Sequence, residues 1–150
     1  MDMKELITKW FGWLQSAANK EDDRLAHVYS DGQQIWASDG YSLHALDVAT
    51  EKNGRVTVSE DGLFQVDATS DTPPFATAIP QGEPVASVVI SAARLKQAVE
   101  GQEGMVRLSV YGPAQALELS SAGKYALVMP TTDVEEWWFW RPEERMSDTR

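Results

Sequence analysis

Cysteine is absent from the 150 residues. That excludes disulfides, thiolate zinc sites, iron–sulfur clusters and cysteine nucleophiles, and it is compatible with a reducing cytoplasm. Histidine is scarce: His27 and His44 are the only two, which narrows imidazole metal sites and histidine-based proton transfer. No stretch approaches the ~20 apolar residues of a membrane-spanning helix. The amino-terminal MDMKELITKW lacks a basic region followed by an apolar core and cleavage site. The expectation is a soluble, unprocessed, cytoplasmic protein with no membrane partner. Glycines fall singly at turns, so no phosphate-cradling loop is formed, and the serines show no nucleophile-elbow spacing.

The acid pairs Asp22-Asp23 and Glu135-Glu136 are the remaining candidates for general acid–base work or a hard metal ion. Adjacent residues on a turn point apart, so both pairs read as solvated charge. His44 sits in the strand-like SLHALDV, where alternation leaves its orientation open, and a structural or surface role is expected. No catalytic residue, metal or cofactor is assigned, and the expectation is a protein that is not an enzyme.

Charge is plentiful and predominantly negative. The formal net charge is −10, which argues against the whole surface binding nucleic acid. Its distribution is uneven. Residues 31 to 90 hold nine carboxylates against Lys52 and Arg55 alone. Residues 3 to 20 carry Lys4, Lys9 and Lys20 against Glu5, and residues 91 to 100 carry Arg94 and Lys96 against Glu100. Both of the latter segments read as helices.

At helical spacing, Leu6, Ile7, Trp10, Phe11, Trp13, Leu14, Ala17 and Ala18 gather into an arc of roughly 160°, which predicts a helix over 3–20 lying on a core. From Leu25 the pattern becomes short apolar or alternating runs between turn signals. Strands are expected near 25–30, 34–38, 41–48, 55–58, 63–68, 75–79 and 85–90, with Asp31-Gly32, Asp39-Gly40 and Asp61-Gly62 as turns. Ser91 caps a short helix bearing Ala92, Leu95, Ala98 and Val99 and closed by Gly101. Strands near 105–111, 114–120 and 124–129 follow. Helix, strands, helix, strands is an α+β order.

The carboxyl-terminal VEEWWFWRPEER is the most unusual local composition. Trp137, Trp138, Phe139 and Trp140 offer stacking surface, but Glu135, Glu136, Glu143 and Glu144 outnumber Arg141 and Arg145 around them. The aromatics are therefore candidate interface residues, packed on the protein's own core or across a subunit contact.

Three segments together resemble the sliding clamp family, the bacterial DNA polymerase III beta subunit. HVYSDGQQIWASDGYSLHALDV (27–48) is similar to its strand, DG turn, strand and second DG element. EPVASVVISAARLKQAVEG (83–101) is similar to the strand entering its second helix, and MVRLSVYGPAQALELSSAGKYALVMP (105–130) to its closing strands and terminal "MP". The resemblance implies a DNA-clamp-like α+β domain over 1–130, two helices packed on two antiparallel sheets, with an aromatic and charged extension at 131–150. In that family such domains join edge to edge into a ring whose helices line a DNA-filled hole. Carried over, Lys4, Lys9 and Lys20 on the first helix and Arg94 and Lys96 on the second are candidate phosphate contacts, with Lys9 and Lys20 better placed than Lys4.

There are departures from the family. Its chains carry three such domains, so a ring of this chain needs about six copies. The strand before the first helix has no counterpart, and TTDVEEW resembles an interdomain linker. The implied partners are double-stranded DNA, further copies of the chain as a homo-oligomer, and replication proteins. The implied function is a non-enzymatic scaffold related to DNA replication processivity factors. The alternative is a clamp-derived interaction or oligomerisation module without DNA binding.

Overall fold

Asp2 starts the first helix. Its carboxylate accepts the Glu5 N–H at 2.8 Å while the Glu5 side chain accepts the Asp2 N–H at 3.3 Å, a reciprocal capping box that satisfies two end donors. Helix α1 runs over Met3–Gln15. In this computed structural model, residues 2–74, 78–132 and 134 are described, and they divide into two compact units, one up to Pro80 and one from Gln81.

The first unit is α1 on a five-stranded antiparallel sheet. Its strands are β1 (Val28–Asp31), β2 (Ile35–Ser38), β3 (Leu43–Leu46), β4 (Asn53–Val58) and β5 (Phe64–Asp67), in the order β3-β2-β1-β4-β5. Ile7 and Leu14 bury completely against Val28, Ile35, Ala37, Val48 and Val56, with Leu6, Phe11 and Phe64 at the margin. The opposite face carries a smaller cluster in which Tyr29 and Trp36 pack tilted, rings 5.4 Å apart, beside Leu43, Ala45 and Ile79. The Tyr29 hydroxyl donates to the Arg24 carbonyl at 2.7 Å, giving its polar end a partner.

The second unit holds helix α2 (Ala92–Glu100) and a three-stranded antiparallel sheet, β6 (Arg107–Ser109), β7 (Leu117–Ser121) and β8 (Lys124–Val128), in that order. Ser91 caps α2 by accepting the Arg94 N–H at 3.4 Å. Leu95 and Ala98 pack with Val88 and Ile90 onto Leu117, Leu119 and Val128. The described residues thus form an α+β structure of two helices and two antiparallel sheets, as expected.

The Asp-Gly turns form as read. Asp31 Oδ1 accepts the N–H groups of Gln33 and Gln34, and Asp39 Oδ1 those of Tyr41 and Ser42, so each carboxylate stands in for a missing ladder partner. Three expectations shift, and a fourth is not covered. α1 stops at Gln15 rather than continuing to 20, because Ala17 and Ala18 donate to Leu14 and Gln15 in tight i→i+3 turns. The pattern misled because Ala17 stays buried in that turn. Residues 85–90 form no ladder; among the described residues their backbone link is Thr131 N–H to the Val89 carbonyl at 2.7 Å. The strand expected at 114–120 begins at Leu117, since Gly112 to Gln115 form a turn. The strand expected at 75–79 lies mostly outside the described residues.

At one end of the β4–β5 ladder the two backbones approach unusually closely. Gly54 has φ +145°, and a β-carbon there would fall inside the Asp67 carbonyl. Gly12, in mid-helix, has open space around it. Opposite outcomes are expected from the same substitution. Gly54→Ala destabilises by about 2–4 kcal/mol in urea unfolding, whereas Gly12→Ala stabilises by about 0.5–1 kcal/mol.

Candidate functional site

The helices carry the candidate phosphate contacts, and their geometry begins with what faces the sheet. With Ile7 and Leu14 pointing at the core, residues on either side of that line become flanks. Lys4 and Lys9 are five residues apart, which at 3.6 residues per turn puts them about 140° from one another. They lie on opposite flanks of α1.

The Lys4 flank leans on the β4–β5 turn. The Thr8 hydroxyl donates to the Gly62 carbonyl at 3.1 Å. Neighbouring Asp61 has its carboxyl held below the usual range, chiefly by the Ser59 hydroxyl and in smaller part by the Lys4 charge. Part of the Lys4 field is therefore spent on a carboxylate of the same chain.

The Lys9 flank is aromatic. The Lys9 ammonium lies over the Trp10 ring, 5.1 Å from its centre. Trp10 meets Trp13 edge to face at 6.3 Å, and Trp13 stacks flat on His44 at 4.2 Å with 10° between planes. Both tryptophans belong to the apolar arc, yet they remain 39 % and 45 % exposed, because the arc is wider than the strip the sheet covers.

His44 has a structural task here. The last four carbonyls of a helix lack intrahelical partners. Those of Gly12, Leu14 and Gln15 are taken by Ser16, Ala17 and Ala18 N–H groups. The Trp13 carbonyl accepts the Ser16 hydroxyl at 2.5 Å and His44 Nδ1 at 2.8 Å. A carbonyl only accepts, so Nδ1 carries a hydrogen.

Lys20 is exposed, but it lies five residues past the end of α1, in the turn that leads to β1, and so it is not a helical residue. Arg94 and Lys96 are exposed on α2 in the second unit, on either side of the inward-facing Leu95. The five cations all reach solvent. The interface candidates Trp137, Trp138, Phe139 and Trp140 lie outside the described residues.

Sequence reasoning missed a groove. About 800 Å³ of open space runs along β5, the edge strand, bounded by its four residues together with Met3, Thr50, Lys52, Arg55 and Thr57. The signal available beforehand was that Lys52 and Arg55 are the only cations between residues 31 and 90. Asp67, across the ladder from Arg55, has its carboxyl held low by the Thr69 hydroxyl and N–H, with Arg55 contributing.

No protein-family model, curated protein or solved structure matches the chain.

His27 sits beside Tyr29, and its pKa is lowered by burial first and by the Arg55 charge second, against an opposing pull from Asp23. A histidine depressed in the folded state is protonated first in the unfolded chain, so stability falls as pH drops below the ordinary value of 6.5 and levels once the folded group titrates. Asp39, Asp61 and Asp67, all depressed, lose their contribution only at more acidic pH. Unfolding free energies measured from about pH 7 to about pH 5.5 should decline in the native protein and decline less in His27→Gln.

Proposed function

We propose that this chain is a non-enzymatic, sliding-clamp-like scaffold, related to DNA replication processivity factors, that works by associating with further copies of itself. The observation that carries this reading is the surface of the second unit. Tyr125, Leu127 and Met129 are 63 %, 52 % and 65 % exposed, and they lie on or just beyond β8, an edge strand. An edge strand offers unpaired backbone donors and acceptors, and soluble proteins usually blunt such edges with charge. Here only Lys124, at the start of β8, does so. Among the described residues no strand pairs with the outer edge of β8, and exposed apolar side chains beside such an edge favour pairing with another chain.

A second reading is favoured by the charge geometry: DNA contact through the helices of an assembled multimer. In a chain of net charge −10, the exposed Lys4, Lys9, Arg94 and Lys96 are the helical cations available to phosphates. The opposite placement of Lys4 and Lys9 means that a single duplex engages one flank of α1 at a time.

Light scattering on a sizing column separates these readings from their rivals. Self-association predicts a mass above the 16.6 kDa of one chain, rising with concentration and returning to monomer in Leu127→Glu and Tyr125→Glu. A constant 16.6 kDa at every concentration overturns it. Duplex binding at low salt that weakens with salt and with Lys9→Glu supports the DNA reading, and no affinity at low salt removes it.

A further inference from the structure

Two strand edges, one in each unit, carry side chains that match. In the first unit β5 is an edge strand, with about 800 Å³ of open space along it. Its side chains alternate between the faces of the sheet. Phe64 and Val66, opposite Val58 and Val56, turn to the α1 side, while Gln65 and Asp67, opposite Thr57 and Arg55, turn away. In the second unit β6 is likewise an edge strand. Leu108 stands opposite the wholly buried Leu119 and so faces the helix side, yet it lies outside the core and is 59 % exposed. Val110, one residue past β6 and on the same face by alternation, is also exposed. Arg107 and Ser109 turn to the other face.

We propose that β6 of one copy of this chain adds to the edge of β5 of a second copy, antiparallel, with Asp67 opposite Arg107, Val66 opposite Leu108, Gln65 opposite Ser109 and Phe64 opposite Val110. This register gathers apolar side chains on the helix side of both sheets and polar ones on the other side, and it sets one carboxylate against one guanidinium. A slip of one residue puts Phe64 and Val66 against the polar members of β6. A slip of two keeps the faces but leaves Asp67 opposite an uncharged residue, Ser109 or Met105. A parallel alignment that keeps the charge pair carries Leu108 and Val110 past the end of β5. Charge thus selects one of the alignments that the faces permit. The Asp67 carboxyl, held low by the Thr69 hydroxyl and N–H, is ionised at neutral pH, and it would lie between the guanidinium groups of Arg55 and Arg107. Because the two edges differ, the contact runs head to tail. It rests on the self-association proposed above and adds a second contact to it: a ladder of four residues is too short to hold two copies alone, so it forms within the assembly that β8 makes.

The chain has no cysteine, so engineered disulfides report the register directly. Opposed residues of an antiparallel pair have Cα atoms about 4.5–5.5 Å apart, within disulfide reach. Asp67→Cys is mixed with Arg107→Cys under mild oxidation, and linked peptides are identified by mass spectrometry. The 67–107 link should form at least about tenfold faster than the 67–94 link in Asp67→Cys mixed with Arg94→Cys. Gln65→Cys with Ser109→Cys, which leaves the charges in place, should link equally well and decides alone if Asp67→Cys fails to fold. Adding Arg107→Asp to the Ser109→Cys chain should slow that link, and adding Asp67→Arg to the Gln65→Cys chain should restore it. If neither pair outpaces the Arg94 control although the sizing column shows a mass above one chain, this contact is overturned and self-association stands. The same null result in a constant monomer overturns both. A link that forms only within single molecules of a Gln65→Cys, Ser109→Cys double variant overturns the assignment to a second copy.

Discussion

The first unit rests on the burial of two side chains, Ile7 and Leu14, against one face of its sheet. They are seven residues apart, so they share a face and stand about 10.5 Å apart along the helix, roughly two strand spacings. Both are wholly removed from water. Fixing those two points fixes the helix in position and in rotation, and the flanks follow. Trp13 is carried to His44, Thr8 to Gly62, and the lysines are sent to opposite sides. The aromatic flank is thus a consequence of core packing. In the second unit Leu119, wholly buried under Leu95 and Ala98, serves the same purpose for α2.

The same constraint sorts the charges. Positive residues on the helices stay in solvent because the helical faces that could bury them are taken by aliphatic side chains. Lys52 and Arg55 are different, since they arise from a strand and its approach and converge on a sheet edge. Two populations of cations result, one dispersed over helix surfaces and one gathered in a groove.

Local chemistry was legible in the sequence, and chemistry made by distant residues was not. The Asp31 and Asp39 turns were readable because each carboxylate bonds N–H groups two and three positions on. Ser91 at the start of α2 was readable for the same reason. The end of α1 was not, since its Trp13 carbonyl is closed by His44 from β3, thirty-one residues away. Residues 85–90 show why an apolar run misleads: Val88 and Ile90 pack on the core while Val85 is fully exposed, so apolar character alone decides neither burial nor pairing. Among the site residues, the exposure of the cations was legible, whereas the 140° separation of Lys4 and Lys9 mattered only once the core direction was known. For the groove, the neighbouring cations Lys52 and Arg55 were visible in the sequence, but the meeting of walls from β4, β5 and α1 was not.

Gly54 has a genetic consequence. Its close approach to the Asp67 carbonyl admits no β-carbon. Every change at the first or second base of a glycine codon installs a residue with a β-carbon or a stop, so none is compatible with that approach. Only third-base variation is available to this position, and the contact between β4 and β5 should persist in descendants long after the surrounding surface has drifted.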